Sequence, residues 1–153
     1  MRLAPAPASG PTRREILRGA MSQRNVEIVR RLYEGVPARL ETPQELFEPD
    51  FELDQTDVPL DAIDIVRGLG AALESMREYW GTFEDFHIEL KEVLHADEEH
   101  VVTAVRDGGQ IRGSDAEVWN RFFHAWTFGD GKIVRLSIHT DKNRAFEAAG
   151  VSE

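Results

Sequence analysis

The C-terminal half of the sequence contains four consecutive strand-like stretches, and in the first of them apolar and polar residues alternate at the period of a half-buried β-strand. The stretches cover residues 86–91, 101–106, 117–128 and 132–140. Turn signals lie between neighbouring stretches, at Asp97–His100 and at Gly129-Asp130-Gly131. Strands joined in this way pair antiparallel, so this half predicts a curved antiparallel sheet. We expect Gly108-Gly109 to mark a bulge that increases its curvature.

The N-terminal half is mainly helical. Residues 22–36 carry apolar side chains at helical spacing, with Ser22 as the predicted N-cap and Pro37 as the limit of the helix. Apolar residues also recur at spacings of three and four from Leu69 to Phe83, which predicts a helix packed on the core. The remaining predicted elements are a short helix over 43–47 capped by Thr42, a strand over 51–55 followed by an irregular segment over 57–61, and a last helix from Asp141 to Gly150. Helices followed by an antiparallel sheet indicate an α+β fold in which the sheet can wrap around a helix and leave a cavity.

Length and composition predict a single domain behind a short tail. A chain of 153 residues is close to the common size of one domain. The proline-rich residues 1–20 are expected to form a disordered or loosely ordered tail that contributes little to folding, and residues 21–153 are expected to form the domain. The sequence leaves open whether translation starts at Met1 or Met21.

The charge balance excludes several classes of partner. The chain has 28 acidic and 18 basic residues and a net charge of −10, which argues against nucleic acid as a partner. Residues 1–20 carry four arginines and one glutamate, a charge of +3, which leaves −13 on the rest. Cysteine is absent, so disulfides, thiolate metal sites and a cysteine nucleophile are excluded. No apolar stretch has the length of a membrane span, and we expect a cytoplasmic protein.

The segment FHAWTFGDGKIV at 123–134, followed by Asp141 and residues 145–150, resembles the SnoaL-like branch of the nuclear transport factor 2-like superfamily. Arg67-Gly68 and the segment 83–86, which flank the core helix, fit the same resemblance, and it extends over about residues 24–150. The resemblance implies a cone-shaped barrel, in which a strongly bent antiparallel sheet wraps around three helices, with a pocket at the wide end and often a homodimer through the outer sheet face. Members include ketosteroid isomerase, polyketide cyclases, epoxide hydrolases, dehydratases and domains without chemistry.

Two functions are compatible with this resemblance. One is a cofactor-free acid–base enzyme of isomerase, cyclase or hydrolase type that acts on a small apolar carbonyl-like compound. The other is a non-catalytic ligand-binding or dimerisation module of the same fold. The acid–base enzyme requires that His124 and a carboxylate converge on one position of an open pocket, whereas the binding module does not. The sequence does not identify the ligand.

The ketosteroid isomerase pattern matches this sequence poorly. Its tyrosine on the first helix falls on Leu32, which cannot donate a hydrogen bond, and Tyr33 would lie about 100° further around the helix. Its basic aspartate falls on Gln55, and its second oxygen-binding residue falls on His124. The polyketide cyclase pattern, a histidine and an aspartate acting as acid and base, is partly available through His124.

His124 is the main candidate for a catalytic residue, because the alternation of residues 117–128 places it on one strand face with aromatic neighbours. Burial there would keep the imidazole neutral, so that it could accept a proton or donate a hydrogen bond. The alternative is a structural histidine that is bonded to a neighbouring strand or to a core tyrosine. The predicted pocket wall consists of Gln55, Trp80, Phe83, Asn120, Phe122, Trp126, Val134, Leu136 and Ile138.

The predicted catalytic carboxylate is Asp54 or Asp57. Both belong to an acidic stretch, because residues 40–66 contain no lysine or arginine, and most carboxylates of such a stretch are simply solvated. A shift of the strand register by one residue would exchange Asp54 for Gln55 as the inward-facing group.

No metal and no cofactor are predicted. The polar run His95–His100 fits no zinc motif and is typical of a hairpin turn. The sequence shows no glycine-rich phosphate loop and no recognisable Ser-His-Asp arrangement.

The opposite face of the strand over 117–128 predicts self-association. This face and the next strand carry Trp119, Arg121, Phe123, Arg135, Ile133 and His139. Aromatic residues and arginine are enriched at interfaces, so we expect a symmetric homodimer across this sheet face.

Overall fold

A computed structural model describes residues 10–39, 44–58 and 64–151. The described residues contain three α-helices, a short 3-10 turn and six strands. In chain order these are α1 Arg13–Arg39, the 3-10 turn Gln44–Leu46, β1 Phe47–Asp54, β2 Ile65–Arg67, α2 Leu69–Gly81, β3 His87–Ala96, β4 His100–Gln110, β5 Glu117–Gly129, β6 Lys132–His139 and α3 Lys142–Ala148. The predicted α+β class is confirmed.

The six strands form one curved sheet in the order β2-β1-β6-β5-β4-β3. The four C-terminal strands pair antiparallel in succession, as the alternation predicts. Two features differ from the expected cone-shaped antiparallel barrel. β1 pairs with β6 in parallel, and the sheet stays open because β2 and β3 are edges.

Helix α1 begins nine residues before the predicted N-cap Ser22. Its start is set by a capping box, in which the Glu15 amide donates to Thr12 Oγ1 at 3.2 Å and the Thr12 amide donates to Glu15 Oε2 at 3.3 Å. Residues 13–20 are therefore helical and solvent-exposed. The helix also continues through Pro37 to Arg39, so the lost amide donor of proline falls in its last turn.

The segment after α1 differs from the predicted short helix over 43–47. Only Gln44–Leu46 form a 3-10 turn, and Phe47 already belongs to β1, where its buried ring packs edge-on against Phe51. The predicted cap Thr42 and most of the irregular segment over 57–61 lie outside the described residues.

Gly108 and Gly109 do not form a bulge, because the β4–β5 register runs through them without a shift. Their φ angles of 145° and 146° are unfavourable for other residues. A Cβ on Gly108 would lie 1.9 Å from the Val118 carbonyl oxygen, so glycine is needed for close strand approach. Register shifts occur instead within the β3–β4 pair and between β5 and β6, where Val134 is an extra residue.

The helices cover both faces of the sheet. On the concave face, α1 packs along β3 and β4, while α2 packs on β1 and β2. The main core lies there, and its fully buried members include Val29, Phe51, Leu53, Val101 and Ile133. On the outer face, α3 packs over part of β4, β5 and β6. None of the helices in the described ranges is long and apolar enough to cross a membrane.

Candidate functional site

A cavity of about 90 Å³ lies between the helices of the concave face and the sheet. Its volume is several times the roughly 10–15 Å³ that one water molecule requires. Its apolar lining consists of Leu32, Phe47, Phe51, Val58, Met76, Trp80, Phe86, Ile88, Phe122, Trp126, Leu136 and Ile138. Its polar lining consists of Tyr33, Gln55, Tyr79, Asp107 and His124. An apolar wall with a few polar groups is typical of small-molecule sites.

Tyr33 and His124 form one polar pair in the cavity wall. The Tyr33 hydroxyl is 2.8 Å from His124 Nδ1 and 2.8 Å from Thr103 Oγ1. It also accepts a hydrogen bond from Trp126 Nε1 at 2.9 Å. Thr103 lies directly opposite His124 in the β4–β5 pair, and Trp126 follows two residues later on the same face. Strand alternation therefore aims these three side chains at the same point of α1.

This pair is neutral near physiological pH. Burial lowers the pKa of His124 to about 3, and the nearby His139 adds to the effect. Burial also raises the pKa of Tyr33 above its ordinary value. Neutral imidazole carries a proton on one ring nitrogen and accepts a hydrogen bond on the other. The pair can therefore bind a ligand oxygen, whereas His124 is a weak proton acceptor.

Asp107 forms the second polar group of the cavity. It is only 4% exposed, and it was not among the predicted site residues. The Tyr79 hydroxyl donates to Asp107 Oδ1 at 2.7 Å, and Asn120 Nδ2 donates to the Tyr79 hydroxyl at 3.2 Å. Asn120 lies directly opposite Asp107 on β5. The three side chains form a hydrogen-bonded chain that ends on a carboxyl group in the cavity wall.

Burial raises the pKa of Asp107 to about 6, although hydrogen bonds from Tyr79 and Asn120 act in the opposite direction. Burial, followed by the charge of Asp107, also raises the pKa of Tyr79. Asp107 therefore changes its protonation state close to neutral pH, which suits a general acid–base group. Along the β4–β5 register Asp107 and His124 are four residues apart, or roughly 13 Å at the backbone.

Six of the predicted pocket residues line the cavity besides His124. They are Gln55, Trp80, Phe122, Trp126, Leu136 and Ile138. Phe83 instead packs beside Trp80 and Phe86 in a separate cluster, and Asn120 lies behind Tyr79. Val134 is displaced by the β5–β6 register shift, so that Ile133 takes the inward position.

Asp54 does not reach the cavity. It lies on the outer face, where its carboxylate accepts hydrogen bonds from Thr56 and forms an ion pair with Arg135. Burial opposes its ionisation, but Thr56 and Arg135 outweigh this effect and lower its pKa. Gln55, the next residue, is the inward-facing group of this segment.

Asp57 does not line the cavity either. Its Oδ2 is 2.6 Å from His139 Nδ1, and its Oδ1 accepts a hydrogen bond from Arg144 at 2.9 Å. His139 Nε2 in turn contacts Ser137 Oγ, so the order of a Ser-His-Asp triad is present, although the sequence showed none. Ser137 is only 2% exposed and lies on the face opposite the cavity, so a substrate cannot reach it. These hydrogen bonds therefore hold the turn that follows β1 against strand β6 and helix α3.

The residues predicted for the dimer face have mixed surroundings. Arg121 is exposed. The Trp119 ring is covered by the Arg106 guanidinium at 4.0 Å, Phe123 packs beside α3, and Arg135 pairs with Asp54 and Glu52. Ile133 is buried in the main core, so the expectation that it belongs to this face is wrong. His139 lies on this face, but it is buried within its own chain, where it contacts Asp57 and Ser137.

Tyr33, Tyr79 and Asp107 line the cavity but were not among the predicted site residues. Asp107 continues the inward series Val101, Thr103 and Val105 at a period of two, so a longer predicted β4 would have placed it in the cavity. Tyr33 and Leu32 both line the cavity, because the wall curves around α1.

Among the described residues, no group of three or more histidine, aspartate or glutamate side chains could hold a metal ion.

The fold and this cavity define a small α+β protein whose bent sheet and helices enclose a cavity. A family model for the SnoaL-like domain matches residues 29–136. The chain therefore belongs to the SnoaL-like family, as the resemblance indicated.

Solved structures support the fold at low sequence identity. Bal32a, from a soil-derived mobile gene cassette, is 20% identical with a TM-score of 0.67, over 78% of this chain and 90% of that one. A putative SnoaL-like polyketide cyclase from Jannaschia sp. CCS1 is 19% identical with a TM-score of 0.65, over 87% and 96%. TerC, co-crystallised with polyporic acid, is 21% identical with a TM-score of 0.62, over 82% and 97%. A search of curated proteins gave no significant match.

Proposed function

We propose that this protein binds a small, largely apolar carbonyl compound in the cavity and catalyses proton transfer on it, with Asp107 as the acid–base group and without a cofactor. The observation that carries the proposal is a buried carboxyl group in an apolar cavity wall whose pKa is raised to about 6. A base is most effective when its pKa lies near the working pH. The co-crystal of TerC with polyporic acid supports a small-molecule ligand for this fold.

In the proposed reaction, ionised Asp107 removes a proton from carbon, and the electron pair of that C–H bond moves to the carbonyl oxygen. Protonated Asp107 then returns the proton at another atom of the resulting anion, so the protein is regenerated. The hydrogen bond from Tyr79 keeps the carboxyl group oriented during both steps.

The Tyr33–His124 pair is proposed to hold the carbonyl oxygen. If the Tyr33 oxygen accepts from Trp126 and Thr103, its own proton is directed to His124 Nδ1. The remaining imidazole proton is then on Nε2, where it can be donated to the substrate. A neutral imidazole donor held by the Tyr33 hydroxyl, which itself has two further partners, stabilises a developing oxyanion without reorganisation.

The separation of the two polar groups restricts the substrate. His124 and Asp107 are four residues apart along the register. In a simple carbonyl compound the oxygen and the carbon next to the carbonyl group are too close together for the oxygen to contact His124 while that carbon contacts Asp107. A conjugated carbonyl compound solves this problem, because the negative charge generated near Asp107 is delocalised to an oxygen at the far end. We therefore expect a conjugated ring carbonyl compound.

A second candidate is ligand binding without chemistry. The observation that favours it is the Tyr33 hydroxyl, which already has three partners within the protein. Such a satisfied network is also what a purely structural pair would show.

Deuterium exchange distinguishes the two candidates. A thermal-shift screen of conjugated carbonyl compounds first identifies a ligand, and NMR in D₂O then follows loss of its carbon-bound protons. We expect Asp107→Asn to slow exchange by at least about 100-fold while the ligand still binds. Asp54→Asn removes a carboxylate outside the cavity and should exchange like the wild type. Binding without exchange in the wild type would favour the second candidate, and normal exchange in Asp107→Asn would contradict the proposed base.

A homodimer across the outer sheet face is part of the proposal. The exposed Arg121 and the half-buried Trp119 support it. Trp119→Glu should then yield monomers in sedimentation experiments. A Trp119→Glu variant that associates as strongly as the wild type would contradict the homodimer.

A further inference from the structure

Asn120 begins the hydrogen-bonded chain that ends on Asp107. Its Nδ2 lies 3.2 Å from the Tyr79 hydroxyl, which in turn lies 2.7 Å from Asp107 Oδ1. The Tyr79 ring is held in this position, because Phe83 and Phe86 pack edge-on against it with centroid distances of 5.5 and 5.7 Å. The oxygen of Tyr79 is therefore fixed, and only the direction of its proton is left to be decided.

The amide of Asn120 decides the direction of that proton. A phenol hydroxyl both donates and accepts hydrogen bonds, whereas an amide nitrogen only donates. With Nδ2 on one side, the Tyr79 proton has to point to the other side, where Asp107 Oδ1 accepts it. In the reverse arrangement protonated Asp107 would donate to Tyr79, and the Tyr79 proton would then be turned towards the Asn120 donor.

The position of Asn120 in the sheet supports this orientation of its amide. Asn120 and Asp107 lie directly opposite each other in the β4–β5 pair. Hydrogen bonding from Asn120 also lowers the pKa of Asp107, against the larger effect of burial. A flipped amide would instead present its carbonyl oxygen on this side, where it would repel the carboxylate and compete for the Tyr79 proton.

We propose that Asn120 is a positioning residue that acts through Tyr79 and keeps the transferable proton of Asp107 on Oδ2, the oxygen that Tyr79 leaves to the cavity. Tyr79 donates to Oδ1 in both protonation states, so the proton that Asp107 gains goes to Oδ2. Asp107 lines the cavity, so this proton can be delivered to a bound molecule. This role of Asn120 rests on the proposed function, in which Asp107 is the acid–base group.

The remaining surroundings of Asp107 contain few other titratable groups. On β3 the directly opposite residue is the apolar Ile88. On α1 the titratable group is Tyr33, whose pKa the charge of Asp107 helps to raise. Arg106, the residue before Asp107, points to the other face of the sheet and pairs there with Glu89. A change in the pKa of Asp107 therefore reports mainly on the hydrogen-bonded chain.

The first test is a pH titration without any ligand, in which ¹³C NMR of the Asp107 carboxyl carbon gives its pKa. Asn120→Leu removes the amide donor at a similar side-chain volume. Protonated Asp107 can then donate to Tyr79, so its pKa should rise above the wild-type value. Asn143→Leu makes the same change at an exposed position of α3 and should leave the pKa of Asp107 unchanged. If the pKa is also unchanged in Asn120→Leu, the proposal is overturned.

A double-variant cycle tests the route through Tyr79. Tyr79→Phe keeps the ring and removes the hydroxyl, so protonated Asp107 has no acceptor there. In this background Asn120→Leu should raise the pKa of Asp107 less than it does in the wild type. An equal rise in both backgrounds overturns the route through Tyr79. Circular dichroism checks the folding of each variant, and Asn120→Ala takes the place of Asn120→Leu if the latter does not fold.

Exchange in D₂O then measures the catalytic consequence, with cyclohex-2-enone as a small conjugated probe. Asn120→Leu should slow the loss of carbon-bound protons at least about tenfold at an unchanged Kd, because a proton on Oδ1 is turned away from the bound anion. Asn143→Leu should exchange like the wild type. An Asn120→Leu variant that exchanges at the wild-type rate overturns the positioning role. A wild type that does not exchange the probe counts against the proposed function alone, because the titration still decides the role of Asn120.

Discussion

Asp107 and His124 should act on stability with opposite pH dependence. Burial raises the pKa of Asp107 from 3.8 to about 6, so the folded state holds this proton more tightly than the unfolded state. Its stabilising contribution is complete below pH 3.8 and is lost as the pH rises to about 6. Burial lowers the pKa of His124 from 6.5 to about 3, so its contribution is complete above pH 6.5 and is lost as the pH falls.

The two contributions nearly cancel between pH 4.5 and pH 6. Each site changes the free energy of unfolding by about 1.4 kcal/mol per pH unit in this window, or about 2 kcal/mol in total, with opposite sign. We therefore expect the wild type to show a shallow pH dependence. On lowering the pH from 6 to 4.5, Asp107→Asn should lose about 2 kcal/mol and His124→Gln should gain about 2 kcal/mol. Asp54 and Asp97, whose pKa values are lowered, lose their contributions only at more acidic pH.

Urea unfolding followed by tryptophan fluorescence measures these slopes within each variant, so the fixed cost of the substitution itself cancels. Asp115→Asn removes a carboxylate from an exposed loop and is the matched control, with the slope of the wild type. The reasoning is refuted if Asp107→Asn keeps the wild-type slope, or if the two cavity variants shift the slope in the same direction.

Two further predictions concern a glycine in β4 and the N-terminal segment. Gly108→Ala should lower the free energy of unfolding by about 3 kcal/mol or more, because its Cβ would lie 1.9 Å from the Val118 carbonyl oxygen. Gly70→Ala in α2 is the control, because no atom lies within 4 Å of its Cβ position, and it should be neutral or stabilising by up to about 1 kcal/mol. Equal losses of unfolding free energy in the two variants would contradict this prediction. Deletion of residues 1–20 should change the stability of dilute protein by less than about 1 kcal/mol in urea unfolding, since residues 13–20 are exposed; a larger loss would show that they support the domain.

The β5–β6 hairpin shows how far alternation predicts a site. The period of two and the turn at Gly129-Asp130-Gly131 predict both strands and place His124, Leu136 and Ile138 in the cavity wall. The same rule misplaces Val134, because one extra residue in β6 reverses the alternation before Arg135. A bulge of this type leaves no residue-level signal in a run of apolar side chains.

The sequence contains a signal for the start of α1, but the proline-rich composition of the preceding residues points to a disordered tail instead. Thr12 and Glu15 have the spacing of a capping box, yet they follow three prolines that indicate a disordered tail. The surroundings of Asp57 could not be read in this way. Its partners His139 and Arg144 are more than 80 residues away in the chain, and only the fold brings them together.

Asp107 was missed because the predicted strand ended at Arg106 and a bulge was expected at Gly108-Gly109, whereas β4 continues through all three residues to Gln110. Its raised pKa means that, at neutral pH, ionised Asp107 costs about 3 kcal/mol relative to the unfolded chain. A structural role does not require this cost, because an asparagine could accept the same hydrogen bond from Tyr79 while staying neutral. A carboxyl group differs from an asparagine at this position in that it can exchange a proton with a molecule in the cavity. Asp107→Asn is therefore the variant that should gain stability at neutral pH and, under the proposed function, lose exchange activity.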